Sequence, residues 1–164
     1  MAFQRKALRS ASQRVLMKDH ASRDVASCAM SYTRLYYHIV TATYRRYPLI
    51  TPRVEPMLYA ALRAKTEAVD GRPVRIGGIA DHVHMVVALP PTLSVAQFAR
   101  AAKSGSCYHV RQAMGADAFR WQSGYGAFTV SPRHMKPLLD YVACQKEHHA
   151  TNRLWKRCEA ILEP

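Results

Sequence analysis

The chain has 164 residues, 49% of them hydrophobic, which suits one domain with a buried core and excludes a disordered chain. Its formal charge of +13 directs attention to polyanions, nucleic acid first. Four scattered cysteines (Cys28, Cys107, Cys144, Cys158) without a C-x-x-C pair argue against a zinc ribbon or a secreted disulfide framework, and no apolar run approaches the roughly 18 residues of a membrane span, so a cytoplasmic location is expected.

Residues 1–29 are polar and basic, with Arg5, Lys6, Arg9, Arg14, Lys18 and Arg23 against Asp19 and Asp24. Such a segment serves as an added DNA-binding arm or lies upstream of the true start. Met30 stands directly before the first strand-like run, and core periodicity is lacking before it, so the early-start reading is favoured. The remaining 30–164 form the expected domain.

Leu35 to Thr43 is rich in aromatic and β-branched residues and predicts a strand. Apolar residues at Val54, Met57, Leu58, Ala61, Leu62 and Val69 predict a helix over 53–69, ended by the turn at Asp70-Gly71. Val74–Ala80 and His82–Leu89 predict two strands joined as a hairpin near Asp81, the second stopped by Pro90-Pro91. Ser94 and Gln97 form a capping box before a helix running to about Met114.

Gly115, Gly124 and Gly126 then punctuate a loop that carries Trp121 and Tyr125. A short strand follows over 127–131. Pro132 sits where a helix can begin, and the helix is predicted from Arg133 to His149. Leu154, Trp155, Ile161 and Leu162 in the tail are expected to pack on a neighbour. The order β-α-β-β-α-β-α predicts an α+β, ferredoxin-like fold: an antiparallel four-stranded sheet, helices packed on one face, and a C-terminal helix.

Two features carry chemistry. His82 and His84 alternate on a strand, so their imidazoles share a face and can converge on one metal, while Val83 points to the core. Asp81, by the same alternation, aims away from that metal. Tyr141 and Gln145 stand four apart on the last predicted helix and share its face. A tyrosine hydroxyl can attack phosphorus once activated, and the glutamine carbonyl oxygen can complete the metal site. His148 and His149 lie nearby, open to roles as ligand, proton shuttle, phosphate contact or solvated helix end. Two histidines and an amide bring no negative charge, so a bound cation would keep its charge for phosphate; Mg²⁺ or Mn²⁺ suits that role better than Zn²⁺.

Asp81-His82-Val83-His84-Met85-Val86-Val87, Trp121-Gln122-Ser123-Gly124-Tyr125-Gly126-Ala127-Phe128 and Tyr141-Val142-Ala143-Cys144-Gln145-Lys146-Glu147-His148-His149 occur in this order, behind Met30-Ser31-Tyr32 and Tyr37-His38-Ile39-Val40. Over about residues 30–155 the chain resembles the single-tyrosine HUH transposases of the insertion-sequence 200/605 family, the TnpA type. The resemblance implies His82, His84 and Gln145 as metal ligands and Tyr141 as the nucleophile. It implies a homodimer acting on single-stranded DNA with hairpin ends, in which one subunit's tyrosine helix can complete the other's site. It also implies cleavage through a 5′-phosphotyrosine intermediate and rejoining without ATP.

Elsewhere, Arg100, Lys103 and Arg111 can share one helix face as phosphate contacts, with Arg34, Arg45, Arg46 and Arg120 beside strands or loops. Trp121 and Tyr125 are candidates to stack on unpaired bases, with a core anchor the equal reading for Trp121. The rival functions are a non-catalytic or domesticated single-stranded nucleic-acid-binding protein of this fold and a two-histidine phosphoesterase. The latter lacks its paired H-x-[ST] motifs here. No G-x-S-x-G elbow supports a serine hydrolase.

Overall fold

A computed structural model describes residues 32–115 and 117–159. The basic segment 1–29, Ile161 and Leu162 lie outside the described residues. The elements are β1 (Tyr36–Ala42), α1 (Val54–Glu67), β2 (Arg72–Ile79), β3 (His82–Ala88), α2 (Val95–Met114), β4 (Gly126–Thr129), α3 (Met135–Ala143) and α4 (Gln145–Ala150), with single 3₁₀ turns at Tyr44–Arg46, Pro132–His134 and Lys156–Cys158.

The sheet has four strands in the order β2-β3-β1-β4, and every neighbouring pair is antiparallel. This is the ferredoxin-like arrangement expected from the element order. β3 lies at the centre and is buried almost throughout, so both of its faces must be covered. Alternation divides its side chains. Val83, Met85 and Val87 join the main core with Leu58 and Leu62 of α1 and Phe98, Ala102 and Val110 of α2. Val86, on the other face, packs with Leu138, Tyr141 and Val142 of α3. His82 and His84 share the parity of Val86, which places them under α3.

Several local signals set these elements. Ser94 has extended backbone, its hydroxyl accepts from Gln97 N at 3.2 Å, and Gln97 Oε1 accepts from Ser94 N at 3.1 Å. That reciprocal pair starts α2. At the end of α1 the left-handed turn residue is Asp70 (φ 57°), and Gly71 N donates back to Thr66 O at 3.0 Å. Gly77 of β2 is required by close approach. A Cβ there would stand 2.0 Å from the Val142 carbonyl oxygen, so only glycine lets α3 rest on the strand.

The predicted helix over 133–149 is corrected. It begins as a 3₁₀ turn with Pro132 in its first turn and breaks at Cys144 (φ −103°, ψ 26°) into α3 and α4. Tyr141 lies in the last turn of one helix and Gln145 opens the next. Nothing at Ala143-Cys144 marks this break by proline or glycine. The strand bounds differ from expectation by a residue or two at their ends. Among the described residues, no helix is long and apolar enough to cross a membrane.

Candidate metal and nucleophile site

β3 delivers His82 and His84 to one point, with ring centroids 4.9 Å apart and both side chains fully buried. Each ring is fixed through Nδ1. His82 Nδ1 pairs with Asp81 Oδ1 at 2.6 Å, and Asp81 is itself held by Arg46 Nε at 3.0 Å. His84 Nδ1 pairs with His38 Nε2 at 2.8 Å, the two rings stacked with centroids 5.0 Å apart. With Nδ1 engaged on each ring, Nε2 is the nitrogen left to face the site, which is the orientation of metal-binding imidazoles.

His82 Nε2, His84 Nε2 and Gln145 Oε1 are buried atoms that make no hydrogen bond within the protein. Buried polar atoms without a hydrogen bond are costly unless a cation or another partner satisfies them; the nearest charged group to the two Nε2 atoms is the Glu159 carboxylate, at 3.3 and 3.4 Å. The donor set therefore fits a divalent metal. Gln145 is buried at the start of α4, its amide nitrogen donating to the Tyr141 carbonyl at 3.4 Å.

α3 sets Tyr141 beside this pair. Its ring meets His84 edge-on with centroids 6.1 Å apart, and its hydroxyl donates to Glu159. The Trp155 amide donates to the same hydroxyl at 3.2 Å, and the Trp155 indole stacks on the phenol ring at 4.6 Å. Burial first, then the neighbouring Glu159, pushes the phenol up to about 12.

Glu159 is the residue that sequence reasoning missed. Its carboxylate lies 3.3 Å from His82 Nε2, 3.4 Å from His84 Nε2 and 3.6 Å from His149 Nε2, besides accepting from Tyr141. His82, His149 and Glu159 together satisfy the spacing of a metal-binding group. Burial would raise the Glu159 carboxyl, but His82 and His84 outweigh it and hold the group far below the usual carboxylate range. Such a carboxylate is a poor proton acceptor, so here it orients the phenol rather than ionising it. No periodic pattern could have found it, since it lies in the tail, 18 residues beyond Tyr141.

Electrostatics separate the two imidazoles. Burial alone would lower His82, but Asp81 and Glu159 prevail and hold it above the usual histidine value. Burial dominates at His84 and depresses it. Burial, then the adjacent His84, lowers His38 to about 3, so His38 is neutral near pH 7. His149 is half-buried and also depressed by burial, while the His148 ring packs on Tyr141 at 4.8 Å.

The expected DNA contacts lie elsewhere. α2 covers the sheet face opposite the histidines, so Arg100, Lys103 and Arg111 are not brought to the site. Lys103 Nζ donates to the Gln122 and Gly124 carbonyls at 2.6 and 2.5 Å, and Arg111 Nε donates to Phe119 O at 2.8 Å, so both tie down the following loop. Arg100 is exposed. Trp121 is a core residue rather than a stacking platform: it is 7% exposed, donates to Ser106 Oγ at 3.0 Å and meets Phe119 edge-on. Tyr125 is half-buried against the same core.

The family described as "Transposase IS200 like" matches residues 31–145, a stretch that includes both histidines, Tyr141 and Gln145. The chain belongs to the IS200-like transposase family. Two solved structures share the fold. One is a protein assigned as a transposase from Deinococcus radiodurans R1, with TM-score 0.59, 22% identity, and coverage of 72% of this chain and 95% of that one. The other is a REP-associated tyrosine transposase bound to a REP hairpin, with TM-score 0.54, 17% identity, and coverage of 76% of this chain and 74% of that one. A comparison with curated proteins gives no match.

Proposed function

We propose that this transposase cleaves and rejoins single-stranded DNA with Tyr141 as nucleophile, through a 5′-phosphotyrosine intermediate, and so moves a small insertion sequence. The observation that carries the reading is the convergence of a buried tyrosine hydroxyl with two imidazoles whose Nε2 atoms lack hydrogen bonds. His82, His84 and Gln145 would hold Mg²⁺ or Mn²⁺, with Glu159 and His149 near enough to contribute. A bound cation would offset the charge that develops on a scissile phosphate.

The protein's own groups do the rest. Asp81 and His38 keep the imidazoles turned outward. α3 aims the phenol, whose oxygen attacks phosphorus while the upstream strand leaves with a 3′-OH. The phosphodiester's energy stays in the tyrosine ester, so a second 3′-OH can reverse the step without ATP. Trp155 and Glu159 cover Tyr141 in this arrangement, so the tail moves aside when DNA enters. The proposed substrate carries hairpin ends, the proposed assembly is a homodimer, and the proposed location is the cytoplasm.

The test is incubation of labelled single-stranded oligonucleotides spanning the element's ends with protein and Mg²⁺ or Mn²⁺. A denaturation-resistant protein–DNA adduct, absent with EDTA and absent in Tyr141→Phe, is the expected result. The non-catalytic alternative predicts salt-sensitive binding and no adduct.

A further inference from the structure

The turn after β1 carries cationic and aromatic side chains whose exposure the proposed chemistry does not explain. Register pairs the last residue of β1, Ala42, with His82, so the chain leaves the strand beside the β2–β3 turn. Backbone bonds pin it there: Thr43 N donates to Asp81 O, Tyr44 N to Arg120 O and Ile50 N to Ala80 O, each at 2.9 Å. Between these anchors Arg45 and Arg46 both adopt left-handed backbone, with φ 52° and 59°. Residues other than glycine rarely do so, and such strain is held where the surroundings fix it, often at a binding site.

The strained turn displays its side chains outward. Arg45, Arg46, Tyr47 and, from the adjoining loop, Arg120 are all exposed. The Arg120 guanidinium stands 4.3 Å, and that of Arg45 5.2 Å, from the Tyr44 ring centroid, and Tyr47 meets the same ring edge-on at 6.3 Å. Among the described residues, the one ion pair in this group joins Arg46 Nε to Asp81 at 3.0 Å, and Asp81 in turn fixes His82. Arg45 and Arg120 have no carboxylate partner among them.

We infer that this turn, with Arg120, holds the unpaired DNA strand where it adjoins the histidine pair: Arg45, Arg46 and Arg120 meet its phosphates, and the Tyr47 ring, 51% exposed, stacks on one of its bases. The inference rests on the DNA-cleavage reading and adds the path of the strand to it. Guanidinium groups suit phosphate, because their planar forks match its oxygens. The ring beside them selects a single strand, since bases of a duplex are stacked on one another and only an unpaired base offers a free face. Arg46 links this surface to the site. Its Nε faces Asp81, and the side chain is 43% exposed, which leaves the outer edge of the guanidinium for a phosphate. None of these residues belongs to the tail, so displacement of Trp155 and Glu159 leaves them in place.

The test uses metal-free full-length protein and three fluorescein-labelled probes: an oligothymidylate, an abasic oligomer of the same length, and a blunt duplex. Binding is read by fluorescence anisotropy over a salt series. Tyr47→Leu should weaken the oligothymidylate about tenfold, the scale of one stacked base, and leave the abasic oligomer unchanged. Arg45→Gln combined with Arg120→Gln should weaken both single-stranded probes and lower the log–log salt slope by about 1.4, from two phosphates at about 0.7 each. Arg63→Gln, at an exposed position of α1, is the charge control and should leave the slope unchanged. The inference is overturned if Tyr47→Leu weakens the abasic oligomer as much, or weakens neither probe. It is overturned equally if the arginine pair leaves the slope unchanged, if Arg63→Gln lowers it as far, or if the variants weaken the duplex to the same degree. A Tyr141 adduct without these selective losses rejects the surface alone. The selective losses in a protein that forms no adduct reject the cleavage reading and keep the surface.

Discussion

Three side chains of the proposed site are each held by a neighbour. Asp81 fixes His82, His38 fixes His84, and Glu159 with the Trp155 amide fixes the Tyr141 hydroxyl. Glu159 has a direct energetic consequence. Its carboxylate stands where a scissile phosphate would meet the two imidazoles, and like charges at such separations repel by about 4 kcal/mol at an effective dielectric of 20. Part of that is avoided by tail movement. Glu159→Ala should therefore tighten metal-free binding of single-stranded DNA by about tenfold, ~1.4 kcal/mol, read by fluorescence anisotropy; unchanged or weaker binding would contradict it.

His38 sets a pH dependence. Its folded-state value, about 3, lies below the ordinary histidine value of 6.5, so the unfolded chain takes up the proton first as pH falls. The stability associated with neutral His38 is complete above pH ~6.5 and is lost between there and pH ~3, by up to about 1.4 kcal/mol per pH unit. Urea unfolding of metal-free protein between pH 7 and 5 should show this loss, with a shallower slope in His38→Gln.

The histidine pair and Tyr141 are legible in the sequence because alternation on a strand and a short sequence motif both identify them. Asp81 is not, because it occupies the β2–β3 turn rather than a strand position. Alternation does carry it away from the Nε2 side, yet its carboxylate returns to His82 Nδ1. His38 lies 46 residues from its partner His84, and no local pattern reports a contact across paired strands.

At the level of elements, the site depends on how closely α3 lies on β2. Gly77 makes that contact through backbone, opposite His84 in the β2–β3 register. Gly77→Ala places a methyl group into the Val142 carbonyl and must lift α3. A cost of about 1–3 kcal/mol is expected for such overpacking, seen as a lower melting temperature, together with a larger loss of adduct formation because Tyr141 travels with α3. The element order, the capping box and the hairpin were readable from periodicity and polar caps. The break at Cys144 was not, since α3 and α4 are separated by backbone angles that no residue type there demands. Of the two readings of Trp121, core anchor or stacking platform, the structure has the core anchor. An indole in a glycine-punctuated loop is compatible with stacking, and only the Ser106 hydroxyl waiting inside the core decides its burial.

For the whole molecule, the net charge and the buried cluster are separate features. The +13 charge is global, whereas the histidines and Tyr141 are sealed between the sheet and its own α3. In this arrangement Tyr141 lies beside His84 of its own chain. Mixing a His82→Ala, His84→Ala double variant with Tyr141→Phe should give no adduct, because neither chain then owns a complete site. Adduct formation in the mixture would show that one subunit lends its tyrosine to the other, and the arrangement here would be one of two states.

The central claim is that Tyr141 becomes covalently joined to the 5′ phosphate of the downstream strand. Oligonucleotides labelled at the 3′ end or the 5′ end, followed by peptide mapping of the trapped protein, measure it directly. The 3′-end label is expected to stay with the peptide containing Tyr141 while the 5′-end label leaves on a strand ending in 3′-OH. Retention of the 5′-end label, attachment at another residue, or cleavage with no protein-bound DNA would contradict it.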